Sequence, residues 1–177
     1  MIIEFLFLML YFKLRRVKFQ PLNGAKIINK GGQEQDCSMS ASVNKVVFCG
    51  GMRFEGEGPS GRVTVMDAPP PGQTPAGSAP MELLIQALGG CSGMDVVFIL
   101  RKMGLEVDRL EITLTAQRRE THPKLYDSVE ISYRAKGVGL GMGELEKAVR
   151  MSLEKYCSVA LSISPPTHIE WNCGLLA

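Results

Sequence analysis

Two thiols carry the strongest chemical signal in this sequence: Cys91, in GGCSGMDVV, and Cys157, in EKYCSVALSI. Each falls in a stretch of helical composition rich in apolar side chains. Free cysteine in such a setting is either a small buried hydrophobe or a nucleophilic or redox-active thiol. Cys91 follows a glycine pair, Gly89–Gly90. If that pair breaks the helix, Cys91 enters the first turn of a new segment, where backbone N–H groups favour a thiolate. Asp95, one turn later, acts the other way, because a nearby carboxylate charge opposes a thiolate. Both readings of Cys91 stay open at this point.

The remaining candidates are weaker. Cys37 lies in a polar Gly-rich stretch, Cys49 follows a short strand-like run, and Cys173 is near the C-terminus, so each reads as a spectator. His122 stands beside Pro123 in a turn-rich loop and His168 begins a predicted strand; neither has partners suggesting a protease triad. Arg118–Arg119 could hold an anion, but a charge pair at a strand end is usually solvated, and GEGPSG lacks the Lys-Ser/Thr of a phosphate loop. Two histidines and no CxxC argue against a zinc ribbon or finger. An odd total of five cysteines argues against a fully paired disulfide scaffold and for a reducing compartment.

The elements that must position the two thiols follow from periodicity. Leu84, Ala87, Leu88, Cys91, Met94 and Phe98 recur at three- and four-residue steps, predicting a core helix over 81–103 that stops at Gly104. Pro80 suits its first turn. The glycine pair in its middle predicts a kink or a close approach of another backbone. Glu144–Val159 predicts a second helix, with Leu145, Ala148, Val149, Leu153, Tyr156 and Cys157 on its apolar side and Pro165–Pro166 preventing continuation. Lys45–Phe48 and Arg62–Met66 read as a hairpin, Leu105–Ala116 and Ser128–Ala135 as paired antiparallel strands, and His168–Trp171 as a last strand. Ala68–Ala79 is a Pro/Gly/Ser loop. The order β-β-α-β-β-α-β predicts an α+β domain with two core helices on an antiparallel sheet.

With 177 residues, 45% hydrophobic and 21% charged, the chain suits one domain with a real core. A formal charge of +2, from 20 basic and 18 acidic residues, argues against nucleic acid as a partner. The apolar run 2–12, IIEFLFLMLYF, contains Glu4 and precedes rather than follows its basic cluster KLRRVK, unlike a secretory signal. It is well short of the roughly 20 residues that span a bilayer, so membrane association is not expected, with an amphipathic anchor as the alternative. Residues 23–42 read as a linker. The expectation is therefore a poorly structured extension over 1–38 and a folded domain over 39–177.

Taken together, PMELL from Pro80, GGCS around Cys91, QRRETHPKLY at 117–126 and EKYCSVALS at 154–162 resemble one known family. It is the osmotically inducible protein C / organic hydroperoxide resistance (OsmC/Ohr) family. The likeness spans about residues 45–173 and is greatest to an OsmC-like subgroup with the same PMEL…GGCS and EKYCSVAL segments. The resemblance implies an OsmC-like α+β fold and an intertwined homodimer, with an antiparallel sheet wrapped around two core helices. It also implies thiol peroxidase chemistry that uses no metal, haem or other cofactor. Cys91 would be the peroxidatic thiol, attacking the O–O bond of an organic hydroperoxide to give a sulfenic acid. Cys157 would be the resolving thiol that condenses with it to a disulfide, and an external dithiol would restore both. Met81, Leu84, Met94 and Phe98 could line an apolar substrate pocket.

In the family's peroxidases a glutamate directly follows the proline, and an arginine reaches the reactive cysteine. Pro80 stands 11 positions before Cys91, as in the family, but Met81 comes next and Glu82 one place later. That step turns the carboxylate by roughly 100° about a helix axis. Arg62 is the nearest counterpart of the arginine, so Glu82 and Arg62 are the supporting candidates. The leading expectation is a cytoplasmic thiol-dependent hydroperoxide reductase of the oxidative stress response. One alternative is an OsmC-like thiol protein that handles another electrophile or relays sulfur or redox equivalents. The other is a binding module whose apolar dimer cleft holds a lipid-like ligand. Deletion of residues 1–38 is expected to leave the fold and melting temperature unchanged; a cooperative loss of folding, seen by circular dichroism, would overturn the extension reading.

Overall fold

The computed structural model describes residues 42–176 together with two short strands, β1 (Lys26–Ile28) and β2 (Glu34–Asp36). These two strands pair antiparallel, Lys26 opposite Asp36, inside the stretch read as a linker. They belong to a unit that ends at Val43, and a second unit begins at Asn44. The other readings of residues 1–38, including the apolar run and Cys37, lie outside the described residues.

The second unit opens with a three-stranded meander, β3 (Lys45–Phe48), β4 (Phe54–Glu57) and β5 (Val63–Met66). The expected hairpin between 45–48 and 62–66 is corrected: β4 lies between them and pairs with both. Its sequence, FEGE, hides the strand because a glycine and two glutamates remove the apolar alternation. The turn into it is plain, since Gly50 and Gly51 adopt φ of 99° and 60°, where side chains are disfavoured.

Helix α1 runs unbroken from Pro80 to Lys102. Pro80 occupies its first turn, the Glu82 carboxylate accepts the Ala79 N–H at 3.0 Å, and Gly104 leaves it at φ 80°. Of the glycine pair, Gly89 makes a close approach, to a side chain rather than to a backbone, while a Cβ on Gly90 would meet nothing within 4 Å. Gly93, one turn after Gly89, makes the second close approach. A Cβ on Gly89 would lie 2.8 Å from Leu114 Cδ1, and one on Gly93 would lie 2.6 Å from Ile112 Cδ1. Both glycines thus let strand β6 (Arg109–Arg118) lie close against the helix. The buried face is Leu88, Gly89, Ser92, Gly93, Val96, Ile99 and Leu100. Met94 and Phe98, read as core, are instead 70% and 61% exposed. This helix is long and apolar enough to cross a membrane by length and composition, but here it packs in the domain core.

Strand β6 pairs antiparallel with β7 (Tyr126–Lys136), whose alternate residues Val129, Ile131, Tyr133 and Ala135 are buried. The predicted second helix is three segments: α2 (Met142–Met151), a π turn (Ser152–Tyr156) and α3 (Ser158–Ile163). They carry the chain back across the sheet. The last strand, β8 (His168–Leu175), therefore joins β7 in parallel, with Ile131 opposite Trp171. The expected all-antiparallel sheet is corrected in this one strand, because a helical crossover returns the chain in the same direction. Leu145, Ala148 and Val149 of α2 complete the core against the sheet and α1.

Beyond β7, a Cβ on Gly137 would meet the Glu106 carbonyl oxygen at 2.1 Å, whereas one on Gly143 in the first turn of α2 meets nothing within 4 Å. Gly137→Ala is expected to cost about 1–3 kcal/mol through overpacking against backbone. Gly143→Ala should gain up to about 1 kcal/mol from helix propensity. Urea unfolding midpoints of the two variants should move in opposite directions.

Candidate active site

The two helical thiols meet in the folded domain. Cys91 lies mid-helix in α1, half-buried, and Cys157 is fully buried. Since α1 does not break at Gly89–Gly90, the reading that placed Cys91 in the first turn of a new helical segment is corrected. Cys157 owes its position to an interruption that periodicity missed. Its N–H donates to the Ser152 carbonyl at 2.7 Å, closing the π turn, and its own backbone is extended at φ −68°, ψ 99°. The wide turn changes the phase of the helix and ends it at the thiol. Such π insertions are frequent at functional sites. The Cys157 Sγ then caps α3, accepting the Ala160 N–H at 3.4 Å.

Cys91 Sγ, Cys157 Sγ and a carboxylate oxygen of Asp95 all lie within 4.8 Å of one another. Asp95 follows Cys91 by four residues, which puts both on one face of α1. It is held there from the second helix: Ser152 Oγ is 3.2 Å from both Asp95 Oδ2 and the Ser92 carbonyl, the two acceptors sharing its single hydroxyl proton. Ser92 Oγ–H donates to the Gly89 carbonyl at 3.2 Å and accepts the Tyr133 hydroxyl proton at 2.8 Å. A polar network thus ties β7, α1 and the π turn together through Ser92, the neighbour of Cys91, and Asp95. Among the described residues, no buried side-chain nitrogen or oxygen lacks a partner.

Burial pushes the Cys157 thiol up to about 11; the Ala160 N–H offsets part of this, and a hydrogen bond to Cys91 adds to it. Cys157 is therefore a protonated thiol at neutral pH, with little nucleophilicity of its own. Burial likewise pushes Tyr133 up to about 12, against the opposing effect of its bond to Ser92. A cavity of about 480 Å³ opens beside Asp95, lined by Phe98, Ile99, Met103, Met151, Tyr156 and the two cations Lys102 and Lys147. Of the four residues named as a possible apolar lining, Phe98 lines this cavity, and Met81, Leu84 and Met94 are not among its lining residues. Two thiols at this separation can form a reversible disulfide after a modest approach, since the bond is about 2.0 Å long. The Asp95 carboxylate close to both sulfurs can accept or return a proton.

The supporting candidates are elsewhere in this chain. Glu82 is engaged in the cap at the start of α1, nine residues before Cys91 and about 13 Å along the axis. Arg62 lines a separate groove with residues of β3–β5, including Lys45, Gly56 and Thr64. Arg118 donates twice to the Lys124 carbonyl, closing the 119–125 loop, and Arg119 pairs with Asp127. Cys49 is exposed and Cys173 is half-buried on β8. The groups that sequence reasoning did not assign to the site are Ser92, Tyr133 and Ser152. A serine on each otherwise apolar helix face was the available signal.

A family model described as OsmC-like protein matches residues 72–172. The chain belongs to the OsmC-like family. Protein YhfA of Escherichia coli K12 is 38% identical over 133 residues, covering 75% of this chain and 97% of its own length. The crystal structure of a hypothetical protein from Aquifex aeolicus VF5 is 34% identical and superposes with a TM-score of 0.65, covering 78% of this chain and all of that one. The organic hydroperoxide resistance protein OhrB of Bacillus subtilis, 17% identical, shares the fold with a TM-score of 0.54 over 75% of this chain and 98% of its own. The α+β OsmC-like fold expected from the sequence is the fold observed.

In this OsmC-like protein both raised groups are neutral when protonated and hold their protons more tightly folded than unfolded. Their contribution to stability is intact below the ordinary values of 9.0 for Cys157 and 10.0 for Tyr133, and is lost as pH rises toward about 11 and 12. The melting temperature should fall between pH 9 and 12, and Cys157→Ala and Tyr133→Phe should each shrink that fall. Parallel falls in wild type and variants would rule out this origin.

Proposed function

We propose that this OsmC-like protein is a cytoplasmic thiol peroxidase acting on organic hydroperoxides. The observation that carries the reading is the meeting of Cys91 and Cys157 within 4.8 Å of each other and of Asp95. Cys91 sulfur attacks the terminal oxygen of the hydroperoxide; the O–O bond breaks, the alcohol leaves with the thiol proton, and Cys91 becomes a sulfenic acid. Asp95 is placed to carry that proton. Cys157, a protonated thiol before the attack, then condenses with the sulfenic acid, forming the disulfide and releasing water. An external dithiol reduces the disulfide by exchange. The mostly apolar lining of the adjoining cavity favours bulky organic peroxides over hydrogen peroxide.

A homodimer belongs to the same reading. Met94 at 70% and Phe98 at 61% exposure leave apolar area on α1, and Val46, Phe48 and Val63 do the same on the meander. Such area is expected to be covered by a second chain. An OsmC-like thiol protein without peroxidase activity is the second reading. It is favoured by the positions of Glu82 and Arg62, which leave Cys91 without the glutamate and arginine of the family's peroxidases within this chain.

An alkyl hydroperoxide added to reduced protein is expected to yield a Cys91–Cys157 disulfide by mass spectrometry, and Cys91→Ser should abolish turnover with a dithiol. Cys157→Ser should leave one reduction per chain and then stall. If wild type forms the disulfide only with other electrophiles, and consumes no hydroperoxide, the second reading is correct.

A further inference from the structure

Among the described residues, one cluster of cysteine and carboxylate side chains brings three metal-donor atoms together: Cys91 Sγ, Cys157 Sγ and an Asp95 oxygen, all within 4.8 Å. In a tetrahedral zinc site, with sulfur at about 2.3 Å and carboxylate oxygen at about 2.0–2.2 Å, donor atoms stand roughly 3.4–3.8 Å apart. The three donors, within 4.8 Å of one another, need to close by at most about 1.0–1.4 Å to reach that spacing. Cys91 and Asp95 are half-buried and sit one turn apart on the same helix face, so a rotamer adjustment in either can supply the movement. Cys157 is the fixed member.

The surroundings match a metal site as well as a redox pair. The Ala160 N–H already points at the Cys157 sulfur and Ser152 Oγ–H at the Asp95 carboxylate. These are the outer hydrogen bonds that orient thiolate and carboxylate ligands in metal centres. Asp95 also borders the cavity of about 480 Å³, which supplies an entry path and room for a water as fourth ligand. Two sulfurs and one carboxylate select a borderline-soft divalent ion such as zinc over magnesium or calcium.

We propose that the reduced protein binds one zinc ion per chain through Cys91, Cys157 and Asp95. Binding displaces the two thiol protons and leaves zinc bonded to both sulfurs and to the carboxylate. The same two sulfurs cannot then attack an electrophile or pair with each other, so zinc holds the site in a protected, unreactive form. This role differs from catalysis, which needs no metal, and it does not depend on the peroxidase reading.

The test uses the reduced full-length chain with Cys37, Cys49 and Cys173 replaced by serine, titrated with cobalt(II) as a coloured probe and then with zinc. One cobalt per chain is expected, with thiolate-to-cobalt charge-transfer absorption that zinc bleaches. Cys91→Ser, at the half-buried position, should lose most of that absorption, and Cys157→Ser all of it if it remains folded by circular dichroism. Asp95→Asn should keep the absorption but weaken binding by at least about tenfold, the lower end of what losing even an outer-shell partner costs a metal site. Zinc should also protect Cys91 from iodoacetamide, read by mass spectrometry without any peroxide. No charge-transfer absorption in the reduced protein, or absorption unchanged by Cys91→Ser, overturns the proposal. Hydroperoxide turnover without cobalt binding would sink zinc and leave the peroxidase reading intact; cobalt binding without turnover would do the reverse.

Discussion

The seating of α1 between the sheet and the second helix governs the rest of this structure. Gly89 and Gly93 remove the side chains that would hold the helix away from Leu114 and Ile112 of β6. Packing at that closeness fixes how deep the helix lies, but apolar contact alone is tolerant of sliding along the axis. Directional bonds remove that freedom: Tyr133 to Ser92 from the sheet, and Ser152 to Ser92 and Asp95 from the second helix. Each such bond is worth only about 1 kcal/mol net, yet breaking one inside the core leaves a buried polar group costing about 1–3 kcal/mol. The register of the two helices, and with it the meeting of their thiols, is therefore specified by a few serines.

The second helix gives up regularity to reach that meeting. A continuous α-helix through residue 157 would keep every backbone bond in the ordinary pattern. The π turn instead closes through Cys157 N–H to Ser152, and the chain then becomes extended at the thiol. The sulfur caps the next short helix and lies in the core with little access to water. Burial explains the asymmetry of the pair: Cys91 is half-buried on α1, whereas Cys157 lies in the core, where burial holds its thiol protonated. The same placement explains why the sulfurs and the carboxylate form a compact donor set.

Much of this was legible along the chain. The long helix, its Pro80 start and its Gly104 stop follow from composition and capping chemistry, and β6 and β7 follow from alternation. The two important cysteines stood out because they lie on apolar helices. Three features were not legible. Strand β4 is too polar and glycine-containing to show an alternating pattern. Met94 and Phe98 are at helical spacing with Leu84 and Leu88 but face outward, because hydrophobicity marks what avoids water without saying which surface covers it. The break at Cys157 leaves no mark after a run of good helix formers, Leu153-Glu154-Lys155.

The sequence by itself determined most of the elements, α1, β6 and β7 above all, and the family, and it singled out the two thiols, since these depend on local backbone preferences and on short segments of the chain. The meeting of Cys91 and Cys157, 66 positions apart, was implied only by the family resemblance, and tertiary structure decided that they share a site with Asp95. It also decided that Glu82 serves as a helix cap and that Arg62 lines another groove. The reason is physical: the phase of one helix against another depends on packing depth, a single wide turn and a few buried hydrogen bonds, and none of these has a periodic signature in the chain.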